Sequence, residues 1–340
     1  MAVIRVIEPG MFTTVQDLGR EGYGAMGVSP SGAADALSLR IGNRLAGNGE
    51  GAAGLEMTLV GGAFEFSEPG TIALTGADFA PSLDGVAVEM WRSCEVRAGQ
   101  TLRMGGTRDG ARGYLCVRGG IAVAEVMGSA STHVLSGMGG FAGRSLRRGD
   151  VLQVGTQNRA NRLASGQAGA QQPCARSSPG KAAPLQGHGP RILSTAGRKL
   201  VRARKKLRVT VGPQSDWFGP AAPRRFYGNA YRVTEESNRM GLRLVGPVVE
   251  KLPRGEMISE GVALGAIQVP ESGMPIILFV EQQTTGGYPT MANVISADFH
   301  SLGQLRPRHE ITFQVVNWEM ARGLLREQEE LLASDDALFG

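Results

Sequence analysis

The chain has 340 residues, a net charge of +5, 50 glycines and only 6% aromatic residues. That length suits two or three domains with a mainly aliphatic core. The cysteines (94, 116, 174) fit neither a disulfide framework nor a metal-ligand spacing, the four histidines show no paired spacing, and no apolar run is long enough for a membrane helix.

The basic excess is local. Residues 181–208 hold nine Lys or Arg and no acid. Without interleaved aromatics, and in a Pro/Gly/Ser-rich region, this reads as a solvated connector and not as a nucleic-acid surface. The N-terminus MAVIRVIEPG reads as a strand running into a turn, not as a signal peptide, and a reducing cytoplasm is the expected location.

In chain order, residues 3–7 predict a strand, followed by a Gly-rich loop to residue 30. Leu37, Ile41 and Leu45 recur at four-residue spacing and predict a helix over 33–46, with Ser31 as candidate N-cap and Gly47 at its stop. Asp35 lies in the first turn of that helix, where the dipole favours a carboxylate; a functional role stands beside that reading. Short strands follow at 55–59, 63–66, 71–75, 86–91, 101–104 and 113–117, most of them separated by Gly, Pro or Asp. Gly119-Gly120 then leads towards a polar Gly-Ser-Ala-Ser-Thr segment (128–132), and a turn at 147–150 precedes a strand at 151–154. Residues 156–206 read as a Gly/Ser/Pro-rich basic linker, and 317–340 as a terminal amphipathic helix.

The stretch that concentrates polar chemistry is EQQTTGGYP (281–289), directly after an apolar run at 274–280 that predicts a buried strand. Gly286-Gly287 permits a backbone turn where a side chain would clash, and Pro289 steers Tyr288 away from helical geometry. Polar loops on rigid supports are frequent carriers of binding and catalysis; a merely polar hairpin is the alternative.

Four segments recur in the same order: 4–10 with 207–213, 54–62 with 241–247, 112–120 with 274–287, and 143–154 with 303–315. The order predicts two copies of one strand-rich unit, 1–155 and 207–316, each a barrel or sandwich.

TTVQDLGR (13–20), SGAAD (31–35), SNRMGLRL (237–244), GAIQVPESGMPI (265–276) and QTTGGYP (283–289) together resemble the family of 5-oxoprolinase C subunits, also described as allophanate hydrolase subunit 2, KipA-like, or the carboxyltransferase domain of urea carboxylase. The resemblance implies a mainly β fold of two cyclophilin-like β-barrel domains with a few short helices. It implies two partners, one KipI-like and one LamB/YcsF-like, in a complex that opens 5-oxo-L-proline to L-glutamate with ATP. It also implies two alternatives: a biotin-dependent carboxyltransferase acting on urea or a related amide, and a non-enzymatic regulator of a kinase inhibitor. The family's GSRST is GSAST here, with Ala130 in place of arginine; its Asp-Arg-Gln is Glu281-Gln282-Gln283; and its late Pro-Gly turn is Pro307-Arg308.

Lactam opening and carboxyl transfer both need a carboxylate, an arginine, amide side chains and exposed N–H groups. On the matching motifs, Asp17 is the candidate base and Arg20 an anion clamp, with Gln283 and Tyr288 completing the catalytic set. Candidate substrate contacts are Gln16, Ser31 and Asp35 in the first half. In the second half they are Asn238, Arg239, Thr284, Thr285, Gly286, Gly287 and Gln304. A local Asp17–Arg20 ion pair bracing the loop, capping by Ser31 and a structural turn at Asn238-Arg239 are equal readings. No phosphate-binding GxxxxGK[ST] motif and no Met-Lys-Met biotinylation signal occurs, so ATP is expected to be shared with the partner chains and carboxybiotin to arrive on another protein. No metal site is expected.

Overall fold

The computed structural model describes residues 2–156, 191–255 and 257–340. Among these the fold is mainly β with a few short helices, and the chain separates into two compact units. The first comprises Met1–Gly19, Ala36–Thr195 and Phe339–Gly340; the second comprises Arg20–Asp35 and Ala196–Leu338. The expected sequential division is therefore modified: residues 20–35 group with the second unit, and the last two residues with the first.

In the first unit the strands are β1 (Val3–Glu8), β2 (Thr13–Gln16), β3 (Gly54–Thr58), β4 (Ala63–Phe66), β5 (Gly70–Gly76), β6 (Ser82–Leu83), β7 (Val86–Ala87), β8 (Ser93–Val96), β9 (Thr101–Arg103), β10 (Arg112–Val117), β11 (Ile121–Ala122) and β12 (Val151–Val154). They form one sheet in the order β11-β12-β1-β4-β9-β6-β7 and another in the order β2-β3-β10-β5-β8. Strands this short follow from the Gly and Pro punctuation, and alternation within them turns Ile4, Val6, Leu55, Met57, Leu74 and Leu115 into one apolar cluster. The helix α1 (Ala36–Ala46) packs on β5 and β10. Its first residue is Ala36, not residue 33, because Ser31 and Gly32 both take left-handed backbone (φ +56° and +89°). Ser31 is therefore not its N-cap.

The second unit contains the helices α2 (Thr195–Leu200), α3 (Ala222–Gly228), α4 (Phe299–Gly303), α5 (Trp318–Ala333) and α6 (Asp335–Leu338). Its strands are β13 (Lys206–Val211), β14 (Tyr231–Val233), β15 (Gly241–Val245), β16 (Glu260–Gly261), β17 (Ala266–Gln268), β18 (Ile276–Leu278), β19 (Thr285–Gly286), β20 (Thr290–Val294) and β21 (Glu310–Val315). Seven of them close a barrel in the order β13-β20-β17-β18-β15-β14-β21, while β16 and β19 form a separate ribbon. The barrel is filled by Leu207, Val209, Phe226, Ile267, Ile277 and Phe313 among others. Asn317 caps α5, its side chain accepting from the Met320 N–H at 2.9 Å.

The pairing order agrees with the sequence repeat. The run β2-β3-β10-β5 corresponds to β14-β15-β18-β17, with β3·β10 and β15·β18 both antiparallel. The copies differ at their first and last strands: β1 pairs β12 antiparallel, β13 pairs β21 parallel. Of the expected linker, residues 157–190 lie outside the described residues. Residues 191–206 are structured: Ile192 bridges to Arg92, Leu193 to Phe339, and α2 follows. No helix of the described residues is long and apolar enough to cross a membrane.

Candidate functional site

In the second unit the strand β18 runs into Phe279 and Val280, both buried, and delivers the polar stretch beyond. The first polar residue, Glu281, is itself buried and faces Arg239, whose Nε donates to Glu281 Oε1 at 2.5 Å and whose Nη2 donates to the Gly32 carbonyl at 2.6 Å. Ser31 joins from the 20–35 segment: its N–H donates to the Val280 carbonyl at 2.9 Å and its hydroxyl to Glu281 Oε1 at 3.4 Å. Asp35 and Gln304, both buried, meet each other, the Gln304 amide donating to Asp35 Oδ2 at 2.7 Å. Buried charge persists only when it is compensated, and here Glu281 is paired with Arg239 while Asp35 accepts from the Gln304 amide. This buried ion pair lies directly before the 283–288 loop in the chain and serves as its polar floor.

On that floor stands the 283–288 loop. Gln283, Thr285, Gly287 and Tyr288 are exposed, while Gly286 is buried. Thr285-Gly286 pairs with Glu260-Gly261 as the ribbon, and the Val262 N–H donates to the Thr284 carbonyl at 3.1 Å. Gly286 and Gly287 do not use left-handed backbone; a Cβ at 286 would lie 2.7 Å from Gln268 Nε2, so the Gln268 amide would have to shift to admit one. Exposed amide, hydroxyl and phenol groups on a buried strand can hydrogen-bond a planar amide-like ligand from several sides.

The other sequence candidates have different roles. Asp17 is in the first unit, and both of its carboxylate oxygens are engaged. Oδ1 accepts from the Ser129 hydroxyl (2.7 Å), the Ser131 hydroxyl (2.5 Å) and the Gly19 N–H (2.8 Å); Oδ2 accepts from the Ala130 N–H at 2.7 Å. Four donors stabilise the anion and occupy it, which suits an anchor for the 128–132 loop better than a base. Gln16 is fully buried and donates to Thr14 Oγ1 and to the Thr132 carbonyl, bracing the same loop. Arg20 belongs to the second unit and is only 2% exposed, its N–H donating to the Pro30 carbonyl at 2.8 Å. Asn238 is exposed, but its side chain accepts from the Met240 N–H at 2.8 Å, closing a turn. Arg239, the second residue of that turn, is the buried partner of Glu281 and not an open ligand group.

Two buried polar groups escaped the sequence reading. Gln268, inside GAIQVP, donates to the Tyr288 carbonyl at 3.1 Å. Glu56 accepts from the Tyr114 phenol at 2.7 Å, with Arg112 Nε 3.8 Å away. A polar residue within an otherwise apolar strand was the available signal in both cases. Among the described residues no cluster of His, Cys, Asp and Glu could hold a metal ion.

Comparisons agree with this architecture. Residues 26–315 match the model of the carboxyltransferase domain, subdomain A and B. The chain is 36% identical to the 5-oxoprolinase C subunit of Escherichia coli (strain K12) over 327 residues, 96% of either chain, and 35% identical, with the same coverage, to the C subunit of Haemophilus influenzae. The crystal structure of the K. lactis urea amidolyase superposes with a TM-score of 0.84 at 30% identity; it covers 99% of this chain, which spans 20% of that protein. Over almost its whole length, the chain belongs to the carboxyltransferase-domain family that includes the 5-oxoprolinase C subunits.

Proposed function

We propose that this chain is the C subunit of an ATP-dependent 5-oxoprolinase complex and binds the lactam of 5-oxo-L-proline at the 283–288 loop. The observation that carries the reading is the near full-length likeness to two C subunits, combined with an intact QTTGGYP loop whose Gln283, Thr285 and Tyr288 face outward from a buried floor. The Gln283 amide both donates and accepts and so matches the lactam N–H and C=O. The Tyr288 phenol donates to oxygen as negative charge develops there.

Neither the 128–132 loop nor Arg239 is open to ATP. The hydroxyls and N–H of residues 129–131 already point at the Asp17 carboxylate, and the buried Arg239 is neutralised by Glu281. ATP binding is therefore assigned to the complex with a KipI-like and a LamB/YcsF-like partner, and no step of this chain is routed through it.

The test is reconstitution with both partners, 5-oxoproline and ATP, measuring glutamate. Formation no faster than without this chain overturns the reading. Gln283→Ala combined with Tyr288→Phe is expected to abolish turnover while leaving the melting temperature unchanged, because both side chains are exposed. A second reading, a carboxyltransferase component acting on urea or a related amide with carboxybiotin carried by another protein, is favoured by the 0.84 superposition on the urea amidolyase. Urea-dependent decarboxylation of a carboxybiotin carrier, in place of glutamate formation, would select it.

A further inference from the structure

We infer that Gln268 is a positioning residue that holds the 283–288 loop in its ligand-receiving shape, a role that rests on the reading of that loop as the substrate-binding element. Gln268 ends β17 and is 1% exposed, so its amide must find partners inside the protein. Its Nε2 donates to the carbonyl of Tyr288, the residue whose phenol is offered outward. The loop backbone crosses directly over the same amide. A Cβ on Gly286 would sit 2.7 Å from Nε2, 3.1 Å from Val262 Cγ1 and 3.2 Å from Oε1, so the Gln268 amide would have to shift to admit it. Gln268 and Gly286 are thus two halves of one contact.

The strand register changes at the same position. β17 pairs with β20 at Ala266↔Asn293 and Ile267↔Ala292, then skips to Gln268↔Thr290, a bulge that leaves Met291 as the extra residue. Bulges re-aim side chains, often beside functional sites. The opposite strand of the ribbon is tied down separately: Gln214 donates to Glu260 Oε1 at 2.7 Å and accepts from the Thr290 N–H at 3.2 Å. Gln268 therefore fixes the loop from below and Gln214 fixes its ribbon partner at the side, while Gln283, Thr285 and Tyr288 stay exposed.

The variants are Gln268→Met, which keeps volume and removes the donor, Gly286→Ala, and Gly286→Ala in a Gln268→Ala background. In the reconstituted complex, Gln268→Met is expected to raise KM for 5-oxoproline about tenfold with kcat changed less than about twofold. A purely structural role would lower the melting temperature and the active fraction and leave KM in place; an unmoved KM overturns the proposal. In the isolated chain, Gln268→Met is expected to speed amide exchange at 285–288 about fivefold or more with β20 unaffected, and unchanged exchange in the loop overturns it. Gly286→Ala should speed the same exchange, and the Gln268→Ala background should relieve most of that effect; simple additivity denies the contact. If the wild-type complex makes no glutamate, the proposed function fails, while the exchange experiments still decide the role of Gln268.

Discussion

The two double-glycine regions of this chain have the same residues for different reasons. Gly119 and Gly120 both adopt left-handed backbone (φ +97° and +71°), and a Cβ on Gly119 would meet the Gly155 carbonyl oxygen at 2.0 Å. Gly286 and Gly287 do not use left-handed backbone, and a Cβ on the first of them would crowd the Gln268 amide. The polar segments beyond diverge in the same way. Residues 129–131 turn their donors inward onto Asp17, whereas Gln283, Thr285 and Tyr288 turn outward above an internally satisfied floor. In a duplicated fold, one polar segment is thus tied down by internal hydrogen bonds while the other presents its side chains to solvent.

The largest effect that tests this contrast is at the floor. Arg239→Ala leaves Glu281 as a buried carboxylate without its guanidinium, and should destabilise the protein by about 3–5 kcal/mol in denaturant titration. An effect under about 1 kcal/mol would mean that the ion pair is solvated. Asp17→Ala removes the acceptor of four hydrogen bonds at a half-buried position where water can replace part of the loss, so about 2 kcal/mol is expected. Faster proteolysis within 128–137 should accompany it. If Asp17→Ala instead leaves stability intact and abolishes turnover, the first loop is not a brace and the contrast fails.

The turns that lead into the last strand of each copy sharpen the comparison through pH. In the first copy, Arg144 donates two hydrogen bonds to Asp150 at 2.8 and 2.9 Å, and the Arg147 N–H adds a third at 2.7 Å. The Arg144 guanidinium holds the Asp150 carboxyl below the usual carboxylate range. A depressed folded pKa gives stability that is present above the unfolded pKa of about 3.9 and is lost as pH falls through the folded value. Asp150→Asn should therefore cost about 1 kcal/mol near neutrality, after discounting for the partial exposure of the pair, and should flatten the acid limb of a stability–pH curve below about pH 4. In the second copy the corresponding turn has an exposed pair, Arg308 with Glu235 at 2.9 Å. The Arg308 hydrogen bond also lowers the Glu235 carboxyl, but that side chain is exposed and screened by solvent, so Glu235→Gln should move the acid limb less than Asp150→Asn does.

Local signals in the sequence were enough for strands that Gly and Pro bound, such as β1, β3, β4, β5 and β10, and for α5, where Asn317 precedes an amphipathic run; they missed β2, which lies within the expected loop before residue 30, and β8, and they drew β7 on to residue 91. They also placed the buried strand before the 283–288 loop. What they did not carry was which partner each polar side chain meets. Asp17 and Arg20 stand three residues apart, yet the donors that saturate Asp17 come from beyond residue 128 and Arg20 groups with the other unit. Ser31 has the spacing of a helix cap, but its left-handed backbone turns it to Val280 and Glu281 instead. Gln268 looks like one polar residue in an apolar strand, yet its amide meets the carbonyl of Tyr288, twenty residues on. These are contacts over large sequence separation, to which periodicity and capping rules are blind.

The smallest predicted effect concerns the residue that follows Pro307. Arg308 adopts φ +71°, left-handed backbone that costs a residue with a Cβ roughly 1–2 kcal/mol. Its N–H donates to the Val233 carbonyl at 2.8 Å, so the turn is held in place between β14 and β21. Its side chain returns little, because the contact with Glu235 is on the surface. Glycine takes this conformation without strain but gains freedom in the unfolded chain, which offsets part of the relief. Arg308→Gly, which restores the Pro-Gly pair expected of a tight turn, should therefore stabilise the protein by about 0.5–1 kcal/mol, measured as a shift in denaturation midpoint at constant m-value. Gly149, in the equivalent turn of the first copy, already has left-handed backbone (φ +87°), and Gly149→Ala should destabilise by a similar amount. Opposite signs for the two substitutions would establish that both copies are built on the same turn and that only the second has kept a strained residue in it.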